Sequence, residues 1–228
     1  MTQTTHSVIV PVLDGARYIT ECLASILVQL GPDDELIVVD NGSSDETVSL
    51  VEAVGDARVV LLHEPRRGTP MARNTGLRAE RGRYICFQDH DDLWPEGRQQ
   101  VLLDTLLANP GANAAHGRQR VIFDGVDVDP PYAAMDGKHV LLHSAVTAMF
   151  ERSLLDRVGL LDETMGLVAD VDYLVRLRQG GMIAVACDAD VHIRRRHASN
   201  STSITPDTLL AHQMHLMRGT IVRRRGQA

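Results

Sequence analysis

The sequence predicts an α/β protein built on a mainly parallel sheet, and three observations support this prediction. Short apolar runs alternate with helical patterns over residues 7–94, which is the arrangement of a parallel sheet with crossover helices. The runs are nearly continuous in apolar residues, as strands buried on both faces require. The 228 residues contain no internal repeat, linker or low-complexity tract, so we expect one domain spanning residues 1–228.

Each element of the first half follows from a local pattern. Strands are predicted where apolar and β-branched residues run together, at residues 7–12, 36–40, 59–62 and 84–87. Helices are predicted over residues 16–29 and from a cap at Ser44 or Asp45 to Val54. A third is predicted over residues 69–79, with Thr69 as cap and Pro70 in the first turn. Since ligands gather at the carboxyl ends of parallel strands, Pro11, Asp40 and Asp89 should meet at one edge of the sheet.

The second half is predicted to be a less regular α/β region. Helices are expected at residues 95–108, 151–158 and 171–179, and strands at 119–123, 145–150, 182–187 and 191–194. Residues 124–137, rich in Asp, Pro and Gly, should form a loop, and residues 162–170 an irregular stretch. A last helix is expected to begin at Thr205-Pro206, with an apolar stripe of Leu210, Met214, Met217 and Ile221.

Composition argues against several classes of protein. An apolar content of 44% and a charged content of 23% are ordinary for a globular chain, and a net charge of −7 argues against a broad nucleic-acid surface. No run of 18 apolar residues predicts a membrane span, and the polar start gives no sign of a signal peptide. The widely spaced Cys22, Cys86 and Cys187 predict buried free thiols and a cytoplasmic location.

Candidate functional residues are concentrated in the acidic run Gln88-Asp89-His90-Asp91-Asp92, directly after the strand at residues 84–87. Asp89 and Asp91 are two positions apart, so in an extended segment both side chains leave the same face. Carboxylates that close repel one another unless a cation intervenes. Mg²⁺ or Mn²⁺ suits such a site, since either is typically held by one or two carboxylates plus substrate phosphates. The alternative is a solvated turn in which Asp92 caps the following helix.

With these residues in view, the chain resembles family 2 of the GT-A-fold glycosyltransferases, which are inverting and depend on nucleotide sugars. The matching motifs occur in order from Ser7 to about Ser201: the first strand with Pro11, the run Val-Val-Asp-Asn-Gly-Ser-Ser-Asp ending at Asp45, Ala-Arg-Asn-Thr-Gly at 72–76, the acidic run with Leu93-Trp94, Val-Gly-Leu-Leu-Asp-Glu at 158–163, and Asp170. The resemblance implies a single Rossmann-like domain of the GT-A fold. Residues 7–94 would be its nucleotide-sugar-binding half and residues 95–228 its acceptor-binding α/β half.

The resemblance also implies a role for individual residues. Donor binding is implied for Pro11, Val12, Leu13, Asp40, Arg73, Asp89 and His90, with Asp40 at the base or ribose and Asp89 at the ribose. Metal binding is implied for Asp91, where Mg²⁺ or Mn²⁺ would bridge the diphosphate, and for His197, which would bind metal or phosphate. Asp170 would be the catalytic general base.

Several of these residues also have purely structural explanations. Asp40 suits a turn before Asn41-Gly42, Asp45 a helix cap, and Arg73 a helix surface. His197 would then be a packed or solvated histidine, and Asp170 would cap the helix that follows it.

Two departures from the family pattern affect the expected site. Leu13-Asp14 stand where the family often has an aromatic residue followed by Asn, and Leu13 cannot stack on a base as a ring would. Ala169-Asp170 stand where the family usually has Glu-Asp, so the candidate base is kept and its acidic neighbour is lost.

The expected function is metal-assisted, inverting transfer of a hexose from a nucleoside diphosphate donor, foremost a UDP-sugar, to an acceptor hydroxyl of a saccharide, peptide or small molecule. Asp170 would take the acceptor's proton, with Asp172 as its competitor. A metal-dependent nucleotidyltransferase is one alternative, but residues 13–17 lack the Gly-rich, Lys-bearing phosphate loop that it would carry. A non-catalytic nucleotide-sugar binder is the other, and Ala169 keeps it open.

Overall fold

The computed structural model describes residues 6–141 and 144–200. The helix expected from Thr205, with its apolar stripe, lies outside the described residues. In chain order the elements are β1 (His6–Val12), α1 (Ile19–Leu27), β2 (Glu35–Asp40), α2 (Thr47–Ala53), β3 (Val59–His63), α3 (Thr69–Ala79), β4 (Tyr84–Phe87), α4 (Arg98–Leu107), β5 (Ala114–Phe123), α5 (Pro130–Ala133), β6 (Lys138–His139), β7 (Ala148–Glu151), α6 (Arg152–Val158), α7 (Ala169–Gln179) and β8 (Ala184–Arg196). Two 3₁₀ segments, Ala145–Thr147 and Glu163–Val168, precede β7 and α7.

These strands form one mixed, mainly parallel sheet of order β3-β2-β1-β4-β7-β5-β6, with β8 pairing with β5. The pairs β1–β2, β2–β3, β1–β4 and β5–β8 are parallel. Strand β7 pairs antiparallel with both β4 and β5, and so joins the two halves of the chain into one sheet.

The central strands are buried on both faces, as their continuous apolar sequences predict. Because side chains alternate along a strand, Val8 and Val10 of β1 pack in the core cluster shared with α1 and α4. Ile9, between them, packs with Phe87 and with residues of α6 and α7 in the second cluster. Helices therefore cover both faces, and the carboxyl ends of the strands are left for a site.

Most helix starts differ from the sequence prediction. Helix α2 begins at Thr47 with Glu46 in the capping position, and α7 begins at Ala169 rather than residue 171. Three further differences have a local cause. Helix α1 begins at Ile19 rather than residue 16, because Tyr18 and Ile19 both donate to the Gly15 carbonyl in a preceding turn, at 3.0 Å each. Helix α4 begins at Arg98 rather than Pro95, because Gly97 has φ 76°, outside the helical region. Thr69 does not cap α3 but lies inside it, since Gly68 occupies the capping position.

The second half is more regular than its sequence suggests. The two strands expected at 182–187 and 191–194 are one long strand, β8, whose register against β5 shifts where Arg118 pairs with Asp190. Strand β5 begins at Ala114, five residues before the predicted start, and α5 lies within the predicted loop. Within the described residues, no helix has the length and apolarity needed to cross a membrane.

Candidate active site

A cavity of about 490 Å³ lies where the carboxyl ends of the central strands meet. Its wall includes the end of β1, the first turn of α3, the acidic run after β4, the first turn of α7 and the end of β8. Of the residues predicted for the site, the following line the cavity: Pro11, Val12, Leu13, Arg73, Asp89, His90, Asp91, Asp170 and His197. The fold thus brings together side chains from positions 11 to 197, and Asp40 is the predicted residue that is not among those lining the cavity.

Arg73 is the buried cation of this cavity, not a surface residue of α3. Its Nη2 lies 2.7 Å from Asp89 Oδ1, and its Nη1 contacts Asp170 Oδ1. Its guanidinium also packs over the Phe87 ring at 5.4 Å. Burial alone would lower the pKa of Arg73, but the two carboxylates outweigh it and raise that pKa. Arg73 therefore joins the acidic run of β4 to the start of α7.

Asp89 keeps 41% of its side chain exposed towards the cavity. Desolvation raises its pKa, but the Arg73 charge foremost, with smaller contributions from His192, Arg194 and His90, brings the net pKa below its usual value. Asp89 is therefore a stable carboxylate at the cavity wall.

Asp91 faces His197, which follows the end of β8. The distance from Asp91 Oδ2 to His197 Nε2 is 3.1 Å, and Asn200 Nδ2 donates to the same carboxylate oxygen at 3.0 Å. His197 Nδ1 lies 2.9 Å from Ser199 Oγ, and its ring packs against the Tyr18 ring at 4.5 Å. His197 is thus a packed histidine whose Nε2 faces the acidic run.

The pair formed by Asp91 and His197 fits a divalent cation in donor type and spacing. Two adjacent ligands of an octahedral ion, each at about 2.1 Å, lie about 3.0 Å apart. These two atoms lie 3.1 Å apart in a direct contact that Asn200 Nδ2 joins at 3.0 Å from each, so an ion would replace this hydrogen-bonded contact. Over the described residues, no group of three or more His, Cys, Asp or Glu side chains forms a complete metal cage. A cation here would need water and substrate phosphate oxygens to complete its shell, which is the usual arrangement for Mg²⁺.

Asp92 faces β8 and not the following helix, which the alternative explanation had it capping. It is buried, its Oδ1 accepts the Arg195 N–H at 2.7 Å, and its Oδ2 lies 3.0 Å from His192 Nε2. Burial raises the pKa of Asp92. The solvated-turn explanation is therefore wrong for Asp92, since both of its oxygens contact β8.

Asp40, at the tip of β2, is turned into its own loop. Its carboxylate accepts the N–H groups of Gly42 at 3.3 Å and Ser43 at 3.0 Å, and lies 3.4 Å from His63 Nδ1. Burial raises its pKa, but these hydrogen bonds, those from Ser43 first, leave the pKa below its usual value. This geometry fits the turn-forming explanation, and its role towards a nucleobase stays a prediction.

The neighbouring rim is held by hydrogen bonds between two loops. Asp14, which has φ 49°, donates its N–H to Ser43 Oγ at 2.9 Å and accepts the Ser44 N–H at 2.7 Å. Asp45 accepts the Ala16 and Thr47 N–H groups at 3.0 Å each. Glu46 occupies the capping position of α2, so Asp45 contacts the start of that helix without being its cap, and it also holds the turn before α1. The rim beside Leu13 is thereby fixed before any ligand binds.

A glycine sets how close His90 can come to this rim. A Cβ on Gly15 would lie 2.6 Å from His90 Cδ2, closer than real Cβ contacts allow. His90 therefore packs directly on the backbone that follows β1, on the wall of the cavity.

Asp170 and Asp172 occupy different environments, although both lie in the first turn of α7. Asp170 lines the cavity and is 25% exposed, while Asp172 is buried and accepts from Arg176 Nε at 2.9 Å. Val168 occupies the capping position, so Asp170 is inside the helix and does not cap it. Ala169, the residue in place of the family's Glu, also lines the cavity.

Sequence reasoning missed several residues of the cavity wall, among them Tyr18, Asn41, Arg194, Ser199 and Asn200. Tyr18 was assigned only to a helix, yet its hydroxyl donates to Asp124 Oδ2 at 2.8 Å, and its ring contacts His197. Asp124 lies 106 positions away and His197 further still, so no local pattern could have identified these two contacts. The Asn-Gly turn could have identified Asn41 from sequence, and in the structure its Oδ1 accepts the Gly68 N–H at 2.7 Å.

Comparison with known proteins agrees with this geometry. A family model described as "Glycosyl transferase family 2" matches residues 7–162. The chain is 26% identical over 217 residues to an uncharacterized glycosyltransferase of Rickettsia prowazekii, with 86% of this chain and 65% of that protein covered. It is 28% identical over 219 residues to the uncharacterized glycosyltransferase EpsJ of Bacillus subtilis, with 87% and 63% covered. The chain thus spans somewhat less than two thirds of the length of these relatives.

A shorter match of 104 residues, at 36% identity, links 45% of the chain to 41% of the Escherichia coli protein named UDP-Glc:alpha-D-GlcNAc-diphosphoundecaprenol beta-1,3-glucosyltransferase WfgD. Among solved structures, S. aureus TarS 1-349 in complex with UDP-GlcNAc superposes with a TM-score of 0.74 at 19% identity, covering 93% of this chain and 65% of that one. The mannosyltransferase PcManGT from Pyrobaculum calidifontis, in complex with GDP-Man and Mn²⁺, gives 0.67 at 26% identity, with 89% and 59% covered. These likenesses confirm the predicted GT-A fold.

Proposed function

Because this chain belongs to glycosyl transferase family 2, we propose that it transfers a hexose from a nucleoside diphosphate donor to an acceptor hydroxyl, with inversion at the anomeric carbon. The observation that carries the proposal is the cavity itself. One wall holds the metal-compatible pair of Asp91 and His197, and Arg73 joins Asp89 to Asp170 on another. A donor end and an acceptor end of one reaction would therefore lie within a single cavity.

Asp170 is the proposed general base. Arg73 contacts its Oδ1 and so fixes the orientation of the carboxylate, while the exposed part of the side chain faces the cavity. In the proposed step the acceptor hydroxyl attacks the anomeric carbon, its proton passes to Asp170, and the bond from that carbon to the diphosphate breaks on the opposite side. A single displacement of this kind needs no covalent intermediate on the protein.

Asp91 and His197 are the residues proposed to hold Mg²⁺ or Mn²⁺ together with the donor diphosphate. When bound, such an ion neutralises charge on the leaving diphosphate as a Lewis acid. The Mn²⁺ in the PcManGT complex supports a divalent metal in this fold. The residues proposed to contact the nucleoside are Pro11, Val12, Leu13, Asp40, Asp89 and His90. Among them, Asp89 is proposed to face the ribose.

A UDP-sugar is the proposed donor, since UDP-GlcNAc is bound in the TarS complex and UDP-Glc is named for WfgD. The acceptor is any molecule that offers a hydroxyl next to Asp170. We propose a cytoplasmic setting on the basis of three cysteines that are free in the structure.

Donor turnover tests the proposal directly. The protein is incubated with UDP-glucose, UDP-GlcNAc or GDP-mannose and Mn²⁺, and release of the nucleoside diphosphate to water or to a mixture of acceptors is followed. We expect UDP release that stops in excess chelator and returns with Mn²⁺ or Mg²⁺, and an Asp91→Asn variant that resembles the chelated protein.

Two other results would change the assignment. Full turnover in excess chelator would remove the metal from the proposal. Binding of a UDP-sugar without turnover under any condition would favour the non-catalytic binder, and pyrophosphate release from a nucleoside triphosphate would favour the nucleotidyltransferase.

A further inference from the structure

The acidic run after β4 and the end of β8 are joined by more contacts than strand pairing requires. Leu93 and Ile193 form an isolated antiparallel bridge, with N–H to carbonyl distances of 3.0 and 2.9 Å. Beside this bridge, the Asp92 carboxylate accepts the Arg195 N–H at 2.7 Å and lies 3.0 Å from His192 Nε2. One buried side chain thus contacts β8 on both sides of Ile193.

The segment that follows these contacts is the one that faces Asp91. Residues 197–200, called the β8 tail below, begin two positions after Arg195. Within the tail, His197 Nε2 lies 3.1 Å and Asn200 Nδ2 3.0 Å from Asp91 Oδ2. Asn200 Nδ2 also contacts the Arg195 carbonyl at 3.3 Å. The position of His197 relative to Asp91 therefore depends on where Arg195 is held.

Burying a carboxylate is costly unless hydrogen bonds compensate for the lost hydration. Asp92 is buried next to Asp91 and Asp89, and these negative charges add to the cost. A strand bridge alone could be formed with an apolar residue at this position. The carboxylate has a structural use here because one side chain holds two points of β8 at once.

We infer that Asp92 is a positioning residue, which holds the β8 tail so that His197 and Asp91 face each other as a pair ready for a metal-bound diphosphate. It acts through His192 and the Arg195 backbone, not by touching the donor's reacting atoms. The consequence for the ligand rests on the proposed function, while the positioning of His197 does not.

Asp34 offers a matched control for the test. It too is buried, accepts a backbone N–H from His6 at 2.8 Å, and lies 3.0 Å from His6 Nδ1. Asp34 thus has the same kinds of partner as Asp92, a backbone N–H and a histidine ring, and it also accepts the Gly31 N–H at 2.7 Å. These contacts lie at the amino ends of β1 and β2, away from the cavity. Asp34→Ala therefore removes a buried carboxylate without touching the β8 tail.

The first measurement needs no ligand. The protein is labelled with ¹⁵N-histidine, and the ring signals of His197, assigned with His197→Gln, are compared in wild type, Asp92→Ala, Asp92→Asn and Asp34→Ala. We expect Asp92→Ala to move or broaden the His197 signals, Asp92→Asn to move them less because its amide oxygen can still accept the Arg195 N–H, and Asp34→Ala to leave them in place. Unchanged His197 signals in a folded Asp92→Ala would overturn the inference.

The second measurement is calorimetric titration of the same proteins with UDP in the presence of Mn²⁺. We expect at least tenfold weaker binding to Asp92→Ala, and binding within twofold of wild type for Asp34→Ala. Equal weakening by both variants would overturn the inference, since it would reflect general loss of structure. Should Asp92→Ala not fold, Asp92→Leu keeps the size of the side chain, removes both oxygens that contact β8, and must move the same His197 signals.

The two measurements separate the two claims. If wild type binds no nucleoside diphosphate, the proposed function fails, while the His197 signals still decide the role of Asp92. If wild type binds and the His197 signals do not respond to Asp92, the inference fails and the proposed function stands.

Discussion

Arg73 determines how the charges of the cavity are arranged. It is buried, it contacts one carboxylate from the acidic run and one from α7, and its own pKa is raised by them. A guanidinium can contact two carboxylates at once because its five N–H groups have a fixed, planar geometry. A single side chain therefore joins the acidic run after β4 to Asp170.

At the residue scale, the general base is the sharpest prediction. Asp170→Asn should lower the rate of sugar transfer about a hundredfold or more, the usual extent of general-base catalysis. The amide keeps the shape of the side chain and an oxygen for Arg73, so donor affinity per folded molecule should change little. The urea midpoint should fall, because the buried Arg73 guanidinium loses one of its two charged partners. Steady-state transfer rates, with calorimetric donor titration alongside, provide the measurement.

Asp172→Asn is the matched control for that prediction. Asp172 is buried and bonded to Arg176, so the substitution should reduce stability and leave the transfer rate per folded molecule near that of wild type. If Asp170→Asn transfers sugar at a near-native rate and Asp172→Asn does not, the general base is Asp172.

At the element scale, Glu80 links α3 to α6 through an ion pair in which the carboxylate is buried and the Arg152 side chain is 38% exposed. It lies directly after α3, and its Oε1 is 2.9 Å from Nη2 of Arg152, the first residue of α6. Burial raises its pKa from 4.5 to about 7, although Arg152 opposes the shift. Between these two pH values the folded protein keeps a proton that the unfolded chain has lost.

As pH rises from about 4.5 to about 7, the contribution of Glu80 to the free energy of unfolding of the wild type should therefore decrease. Glu80→Gln cannot ionise and still offers an oxygen to Arg152. Relative to wild type, it should gain about 1–3 kcal/mol in free energy of unfolding between pH 4.5 and pH 8, since one pKa unit corresponds to about 1.4 kcal/mol. Urea unfolding of both proteins at pH 4.5 and pH 8 measures this change. If the difference in free energy of unfolding between wild type and Glu80→Gln is the same at both pH values, the raised pKa of Glu80 is wrong.

Elements formed from continuous apolar runs were predicted well from sequence. Strand β4 has the predicted bounds and β1 extends only one residue further, because runs such as Tyr84–Phe87 can only be buried. The predictions failed where one residue changes the backbone, as at Gly97, or where polar residues lie within a strand, as at Asp188 and Asp190 of β8. In β8 the charge of Arg118 on β5 compensates these two aspartates, and such a partner cannot be read from local sequence.

At the scale of the whole molecule, nine of the ten predicted site residues line one cavity. The convergence of strand ends follows from the parallel topology alone, which is why Asp89 and Asp91 could be placed. The pairing of Arg73 with Asp170, 97 positions apart, and of Asp91 with His197, 106 positions apart, could not. Local sequence does not encode which distant side chains meet, so these contacts needed the folded chain.

The preference for a nucleobase is a prediction at this scale, because loops after β1 and β2 together form the rim. A carboxylate accepts a hydrogen bond from the ring N–H of uracil or thymine, and also of guanine, but cytosine has no such N–H. We expect UDP and TDP to raise the melting temperature more than CDP in a thermal-shift panel with Mn²⁺. A ligand at about a hundred times its dissociation constant adds about 2.7 kcal/mol, which is readily seen.

Two variants identify which carboxylate reads the base. Asp40→Asn should abolish the preference for UDP over CDP if Asp40 rotates from its own turn to meet the base. Asp14→Asn is the comparison, because Asp14 already lines the cavity. Loss of the preference in Asp14→Asn alone would transfer the role to Asp14, and strongest stabilisation by CDP would contradict carboxylate readout at either position.

We propose that one cavity holds a metal-bound nucleoside diphosphate against Asp91 and His197. Anomalous diffraction from a crystal of the protein grown with UDP and Mn²⁺ would locate both ligands. We expect a manganese peak within coordination distance of an Asp91 carboxylate oxygen and of the diphosphate, with the His197 ring beside it. A manganese peak elsewhere, with UDP bound outside this cavity, would exclude this arrangement.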